Sequence, residues 1–96
     1  MRLRWRRRAL HELDAICDYV AAENPAAAQA LLRRVEQSAN YLALFPQLGQ
    51  ATSVAGVRTK LVPGYPYRLF YTIVANRDEV QIIRVRDVRR RPIYTE

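Results

Sequence analysis

The chain has 96 residues, half of them hydrophobic, and its fifteen Arg, one Lys and nine acidic residues give a formal net charge of +7. This length predicts a single domain spanning residues 1–96, and the hydrophobic content excludes a disordered protein. No apolar run reaches the roughly 18 residues of a membrane span, and the basic start lacks the apolar core of a signal peptide. Cys17 is the single cysteine, so no internal disulfide forms and we expect a cytoplasmic protein.

The excess of arginine favours an anionic partner. Guanidinium groups bind phosphate and carboxylate through two parallel hydrogen bonds, so nucleic-acid backbones and acidic proteins both fit this composition. A GC-rich genome would produce the same excess of arginine without functional meaning. The charge therefore indicates a partner that carries phosphate or carboxylate groups, but it does not identify that partner.

The first half of the chain predicts a short edge strand followed by a helical hairpin. The strand covers residues 2–5. The apolar positions of the first helix recur at helical spacing: Ala9, Leu13, Ile16, Cys17 and Val20. Asn24 and Pro25 are typical of an N-cap and a first helical residue, so the second helix starts there with almost no connection. Its apolar stripe consists of Ala28, Leu31, Leu32, Val35, Ala39 and Leu42, and Phe45-Pro46 ends it.

The second half changes to the period of β-strands. Three strands are predicted, at Val57–Val62, Tyr67–Val74 and Val80–Arg86, joined by turns at residues 63–66 and 75–78. Helices followed by a meander predict an α+β fold, in which the helical hairpin packs on one face of a small antiparallel sheet. We expect a core formed by Leu13, Ile16, Leu31, Val35, Leu42, Leu69, Tyr71 and Ile82.

The strand register decides where three basic residues point. A three-residue loop pairs residue 60 with residue 68 and places Arg58, Lys60 and Arg68 on one side of the sheet. A four-residue loop pairs residue 61 with residue 68 and separates them, because a slip of one residue reverses every side chain. The sequence leaves both registers open. We expect the three residues to line one face that binds anions.

Several short motifs in a fixed order carry a resemblance to a known family. A Trp near the start and the first helix are followed by Asn24-Pro25-Ala26-Ala27, Phe45-Pro46-x-x-Gly49, Gly56-x-Arg58, residues 67–71 (Tyr-Arg-Leu-Phe-Tyr) and an Arg-rich end. In this order and spacing the chain resembles the RelE/ParE family of bacterial toxins over nearly its whole length. The resemblance implies the same α+β fold that the periodicity predicts.

The resemblance also implies a function. Such proteins are the toxins of type II toxin–antitoxin modules: they halt growth when free and are neutralised by a cognate antitoxin. ParE-like members inhibit DNA gyrase, and RelE-like members cut messenger RNA on the ribosome. The Gly56-x-Arg58 and Tyr65-Pro66-Tyr67 stretches are closer to the ParE-like branch and its plasmid-stabilisation relatives, so gyrase inhibition by binding is the favoured expectation. The alternatives are a ribosome-dependent, metal-independent mRNA endoribonuclease and a non-catalytic relative that binds nucleic acid or its antitoxin.

For the endoribonuclease alternative the resemblance implies a catalytic set by position. Cleavage of RNA requires a base, an acid and stabilisation of a charged phosphorane. The matching residues are Arg58, Lys60, Arg68 and Tyr94. Asp87 departs from the family, where a histidine is common. With a tight turn around Asn76, Asp87 is expected to share a face with Arg68 and to pair with it, which weakens the nuclease hypothesis.

Seven further arginines are predicted to bind the target, a nucleic acid or the antitoxin. They are Arg6, Arg7 and Arg8 before the first helix, and Arg86, Arg89, Arg90 and Arg91 at the end of the chain. The first three lie where the helix already carries a partial positive charge, so an antitoxin carboxylate, a nucleic-acid phosphate or Glu12 would compensate them, and solvated charges without a role are the alternative. No metal or cofactor is expected, because His11 and its neighbouring acids fit a solvated polar face better than a metal site.

The implied partners are a cognate acidic antitoxin and, as target, either DNA gyrase or the ribosome with its mRNA. A toxin–antitoxin hetero-oligomer is expected, and a membrane is not. The antitoxin segment is predicted to be disordered alone and to add to an open strand edge. Its carboxylates are expected to lie over Arg58, Lys60 and the Arg89–Arg91 cluster.

Overall fold

A computed structural model describes residues 1–89, and every structural statement below concerns that range. Its regular elements, in chain order, are β1 (Arg2–Trp5), α1 (Arg7–Ala21), α2 (Pro25–Leu44), β2 (Gln50–Ala51), β3 (Arg58–Leu61), β4 (Tyr67–Val74) and β5 (Glu79–Asp87). Short 3-10 turns occupy Pro46–Leu48 and Ala75–Arg77. None of the helices in this range is long and apolar enough to cross a membrane.

The five strands form one sheet in the order β1-β5-β4-β3-β2. The predicted α+β class, the helical hairpin and the edge strand at residues 2–5 are confirmed. The sheet is mixed, whereas a purely antiparallel sheet was expected. The reason is β1, which returns beside β5 in the parallel direction, with Arg2 opposite Glu79 and Trp5 opposite Ile82.

The helical hairpin is set by local signals that the sequence shows directly. Asn24 caps α2: its Oδ1 accepts the Ala27 N–H at 3.1 Å, and Pro25 occupies the first helical position. The α1 helix ends at Ala21, so only three residues separate the two helices. Such a short connection keeps them antiparallel and places both on the same side of the sheet.

The core lies between the hairpin and one face of the sheet. Leu13, Ala39, Leu42, Leu69, Tyr71, Val80 and Ile82 are among its buried members. Seven of the eight expected core residues are buried; Ile16 is half-buried and packs against the cluster's edge. Alternation along β4 explains the result, since Leu69 and Tyr71 point toward the helices while Arg68 and Thr72 point away.

Two details of register position the candidate site. Residues 63–66 form a four-residue loop, because the Val62 N–H donates to the Tyr67 carbonyl and Leu61 lies opposite Arg68. Between β4 and β5 a bulge shifts the register: Phe70 pairs with Arg84 but Tyr71 pairs with Ile82. One extra residue, Ile83, is thus inserted in β5, and every side chain beyond it changes face.

Candidate functional site

The sheet has two faces that carry different chemistry. The helix face packs on α1 and α2, and Arg58 and Lys60 lie on it because they pair with Tyr71 and Leu69. The opposite side, called the far face here, carries Arg68. The hypothesis that these three basic residues line one face is therefore wrong. The four-residue loop is the physical cause.

Arg58 is held in place by the turn that follows α2. Its Nη1 donates to the Gly49 carbonyl at 2.7 Å and its Nη2 donates to Gln47 Oε1 at 2.6 Å. Both terminal nitrogens of the guanidinium thus hold the segment after α2 against β3. These contacts assign Arg58 a structural role that the motif pattern did not reveal.

Tyr71 completes this attachment from the neighbouring strand. Its hydroxyl donates to the Pro46 carbonyl at 2.7 Å and accepts the Gly49 N–H at 2.8 Å. Burial raises the pKa of Tyr71, against the opposing effects of the Gly49 N–H and the Arg58 charge. A Cβ at Gly49 would lie 2.6 Å from Tyr71 Cε1 and 2.9 Å from the Thr59 carbonyl oxygen. The glycine of the Pro-x-x-Gly motif is therefore required here, because the tyrosine passes over a backbone with no room for a side chain.

Asp87 lies on the helix face, opposite Tyr67, whereas Arg68 lies opposite Arg86 on the far face. The expected Arg68–Asp87 pair is therefore wrong. The turn after β4 has the expected four residues, but the bulge at Ile83 reverses the face of everything beyond it. Asp87 instead accepts three hydrogen bonds from Arg89: from Nε at 2.9 Å, from Nη2 at 2.7 Å and from the backbone N–H at 2.9 Å.

The predicted catalytic set is not brought together within the described residues. Arg58 is engaged on the helix face, Lys60 lies on the same side of β3, and Arg68 occupies the far face. Tyr94 lies outside the described residues, as do Arg90 and Arg91 of the predicted binding cluster. The catalytic role of these residues stays a prediction.

The pairing of Glu12 with Arg84 is the contact that sequence reasoning missed, since Glu12 was considered only as a partner for Arg6–Arg8. Its carboxylate accepts hydrogen bonds from Arg84 Nε at 3.0 Å and Nη2 at 2.7 Å, and also from the Val85 N–H at 3.0 Å. Burial by itself raises the pKa of Glu12, but the Arg84 hydrogen bonds, the Val85 N–H and the charges of Arg84 and Arg8 outweigh it and lower the pKa. The carboxylate occupies the edge of β5 where β1 has ended.

Arg6, Arg7 and Arg8 surround a groove on the far face. Arg6 is the N-cap residue of α1 without a capping side chain, and its Nη1 donates to Gln81 Oε1 at 2.9 Å. The groove has a volume of about 530 Å³ and is lined by these three arginines together with Ala55, Gly56, Val57, Thr72, Ile83 and Arg84. Glu12, a candidate partner for the arginine run, forms its ion pair with Arg84 instead.

A second cavity lies at the other end of α1, beside the edge of β5. It measures about 480 Å³ and is lined by Glu12, Ala15, Ile16, Tyr19, Tyr67, Val85, Arg86, Asp87 and Arg89. Tyr19 is 81% exposed and stands at its rim. Apolar side chains with arginines beside them, next to a strand edge, form a surface suited to an acidic peptide with apolar anchors.

Metal chemistry has no site in the described part of the chain. No group of three or more His, Cys, Asp or Glu within residues 1–89 is placed to hold a metal ion. Cys17 is half-buried against the core, and burial, together with Asp14, Asp18 and Glu36, raises the pKa of its thiol. A thiol of this kind is a poor nucleophile near neutral pH.

Comparison with known proteins identifies the class to which this fold and surface belong. The family model of the ParE toxin of the type II toxin–antitoxin system, parDE, matches residues 3–92. The toxin RelE2 of Caulobacter vibrioides is 34% identical over 86 residues, which cover 90% of this chain and 93% of that protein. Among solved structures, a chain of the chromosomal ParDE system from P. aeruginosa aligns with a TM-score of 0.81 and 28% identity, covering 92% of this chain and 96% of that one.

The isolated E. coli RelE toxin aligns with a TM-score of 0.61 and 16% identity over 96% of this chain and 88% of that one, which shows a shared fold alone. The chain is thus a small α+β toxin of the RelE/ParE type. It belongs to the ParE toxin family of type II toxin–antitoxin systems. The family resemblance found from the order of its motifs is confirmed.

Proposed function

We propose that this toxin arrests growth by inhibiting DNA gyrase through binding, without a chemical step of its own. The main support for this proposal is that the basic residues are dispersed. A ribonuclease would need them close together around one phosphate. Both terminal nitrogens of Arg58 donate hydrogen bonds, one to the Gly49 carbonyl and one to Gln47. The four-residue loop sets a register that places Arg68 on the opposite face. General acid–base catalysis needs such groups around one reacting phosphate.

The match to the ParE family model and the similarity to the P. aeruginosa ParDE chain support the same proposal. A ribosome-dependent mRNA endonuclease is the second candidate. The specific observation in its favour is the 34% identity to a protein named toxin RelE2. Arg68 and Arg86, opposite each other on the far face, are the described residues on which that activity would depend.

Expression of the toxin alone in a bacterial host tests the proposal. We expect growth arrest with filamentation and induction of the DNA-damage response, while bulk translation continues. Arg58→Gln and Arg68→Gln serve as a matched pair, because the first removes an engaged arginine and the second an arginine on the other face. Immediate loss of translation that Arg68→Gln abolishes would favour the endonuclease.

A cognate antitoxin is the proposed physiological partner, and the cavity beside β5 is its proposed docking site. The antitoxin would lay a segment across this cavity, place an apolar anchor against Ile16 and Tyr19, and direct carboxylates to Arg86 and Arg89. Ordering a disordered segment has a free-energy cost, so the contact must be large, on the order of 1,000–3,000 Å².

Binding kinetics with the purified antitoxin test this docking site. Charge attraction should speed association and be screened by salt, whereas apolar anchors should set dissociation. Tyr19→Ser should raise the dissociation rate about five- to thirtyfold, in line with an anchor residue worth about 1–2 kcal/mol. Tyr41→Ser is the matched control, since Tyr41 is also exposed (58%) but lies on another surface. Equal effects of both variants on the dissociation rate would show that the antitoxin does not dock in this cavity.

A further inference from the structure

The charges of this protein are unevenly distributed along its sequence. Residues 7–44, the helical hairpin, carry four arginines and five acids, whereas the rest of the chain carries twelve basic residues and four acids. The whole positive excess therefore lies outside the hairpin. Arg2 and Arg4 share one face of β1, about 6.6 Å apart, and Arg6 follows in extended conformation as the N-cap of α1.

These arginines lead into the groove on the far face. Within residues 1–89, no acidic side chain lines that groove, and Arg7 and Arg8 form no hydrogen bond or ion pair. Arg6 is oriented by Gln81, which is 6% exposed and in turn donates to Glu79. Arg84 is oriented by Glu12 and is 7% exposed. The groove thus combines two ordered guanidinium groups with two that are solvated.

We propose that the far-face groove between Arg6–Arg8 and residues 55–57 binds the sugar–phosphate backbone of a nucleic acid. Charge-assisted hydrogen bonds from guanidinium groups to phosphate are strong and require no base contact. Gyrase inhibition by protein contact alone needs no such site, so this inference goes beyond the proposed function and does not rest on it.

An acidic peptide fits this groove less well than a phosphate backbone. A disordered peptide needs buried apolar anchors to offset the entropy it loses on binding. The groove offers only Val57 and Ile83 as apolar side chains larger than alanine among its described lining residues. The apolar anchor sites lie instead beside β5, where Ile16 and Tyr19 form part of the other cavity.

Fluorescence anisotropy with the purified toxin tests the groove, using labelled duplex DNA, single-stranded DNA and single-stranded RNA of equal length. The variant Arg7→Gln/Arg8→Gln removes two charges from the groove. The control Arg33→Gln/Arg34→Gln removes two charges from α2 and leaves the groove intact. We expect the groove variant to weaken binding about tenfold or more at about 50 mM salt, and to reduce the slope of log affinity against log salt by about 1.4–1.8.

The control variant should weaken binding less than about twofold beyond the general effect of net charge. The oligonucleotide that binds most tightly identifies whether the groove prefers duplex DNA, single-stranded DNA or single-stranded RNA. Equal losses in both double variants would overturn the proposal, because binding would then follow net charge alone. Competition by polyglutamate of matched charge that is as strong as by the oligonucleotide would also overturn it, since the site would then read carboxylate rather than phosphate. No gyrase is present, so failure here leaves the gyrase proposal standing.

Discussion

Glu12 binds the edge of β5 beside Arg84, at a position where a further strand would otherwise pair. Where β1 ends, its chain turns into α1, and the Glu12 carboxylate accepts the Val85 N–H at 3.0 Å together with the Arg84 guanidinium. Arg84 is nearly buried, and Glu12 has a side-chain exposure of 20%. A backbone donor and a buried cation at a sheet edge are therefore satisfied by one helical residue, which also couples the orientation of α1 to β5.

Replacing Glu12 should destabilise the fold in a pH-dependent manner. We expect Glu12→Gln to lower the free energy of unfolding by about 1–3 kcal/mol at neutral pH, less than for a fully buried pair because Glu12 is partly exposed. The folded pKa of Glu12 is depressed, so its stabilisation is present above the ordinary carboxyl pKa and is lost as pH falls through the folded value.

Urea unfolding of both proteins from neutral to acidic pH checks this prediction. The difference between wild type and Glu12→Gln should shrink on acidification. Asp14→Gln is the control on the same helix, and its effect should stay within about 0.5 kcal/mol. A difference that grows in acid would contradict the assigned direction of the pKa.

Gly49 should tolerate no side chain. In Gly49→Ala the new Cβ would meet the Tyr71 ring and the Thr59 carbonyl, so we expect a loss of about 2–3 kcal/mol or rearrangement of the turn after α2. Gly56→Ala is the control: it has open space but a φ of +79°, and about 1 kcal/mol is expected there. Thermal unfolding separates the two, and a smaller loss at Gly49 than at Gly56 would show that Tyr71 does not press on this backbone.

Arg58 and Arg68 should differ in their effects on stability. Arg58→Gln removes two hydrogen bonds to the turn after α2, and we expect a loss of about 1–2 kcal/mol. Arg68→Gln removes a half-exposed arginine opposite Arg86, and stability should stay equal or rise by a few tenths of a kcal/mol. Chemical denaturation of both variants gives the comparison. Equal stability of the two proteins would mean that the contacts of Arg58 do not hold in solution.

Leu31 should be a principal core contact of α2. It is 2% exposed, so Leu31→Ala should cost about 2–5 kcal/mol. Leu44 lies on the same helix with 71% exposure, and Leu44→Ala should change stability by less than about 0.5 kcal/mol. The ratio of the two effects, measured by denaturant unfolding, reports which face of α2 packs. Similar losses at both positions would indicate a different packing face.

The helices and the core were predictable because their signals are local. Asn24-Pro25 and the apolar stripe of α2 each act within a few residues, and Tyr67, Leu69 and Tyr71 of β4 recur at the spacing of one strand face. The sheet face on which each basic residue lies was not predictable, because it depends on the length of one loop and on a single bulge at Ile83. The Glu12–Arg84 pair spans 72 positions in sequence, and no local spacing connects such residues.

Gyrase inhibition is measured by adding the purified toxin to gyrase with relaxed plasmid DNA, and in parallel to a translating extract. We expect supercoiling to stop at a toxin concentration that leaves every transcript on the ribosome intact. Folded Arg58→Gln protein should likewise leave the transcripts in the extract intact. Uninhibited supercoiling, together with cleaved transcripts that Arg68→Ala protects, would contradict the account and identify the toxin as an mRNA endonuclease.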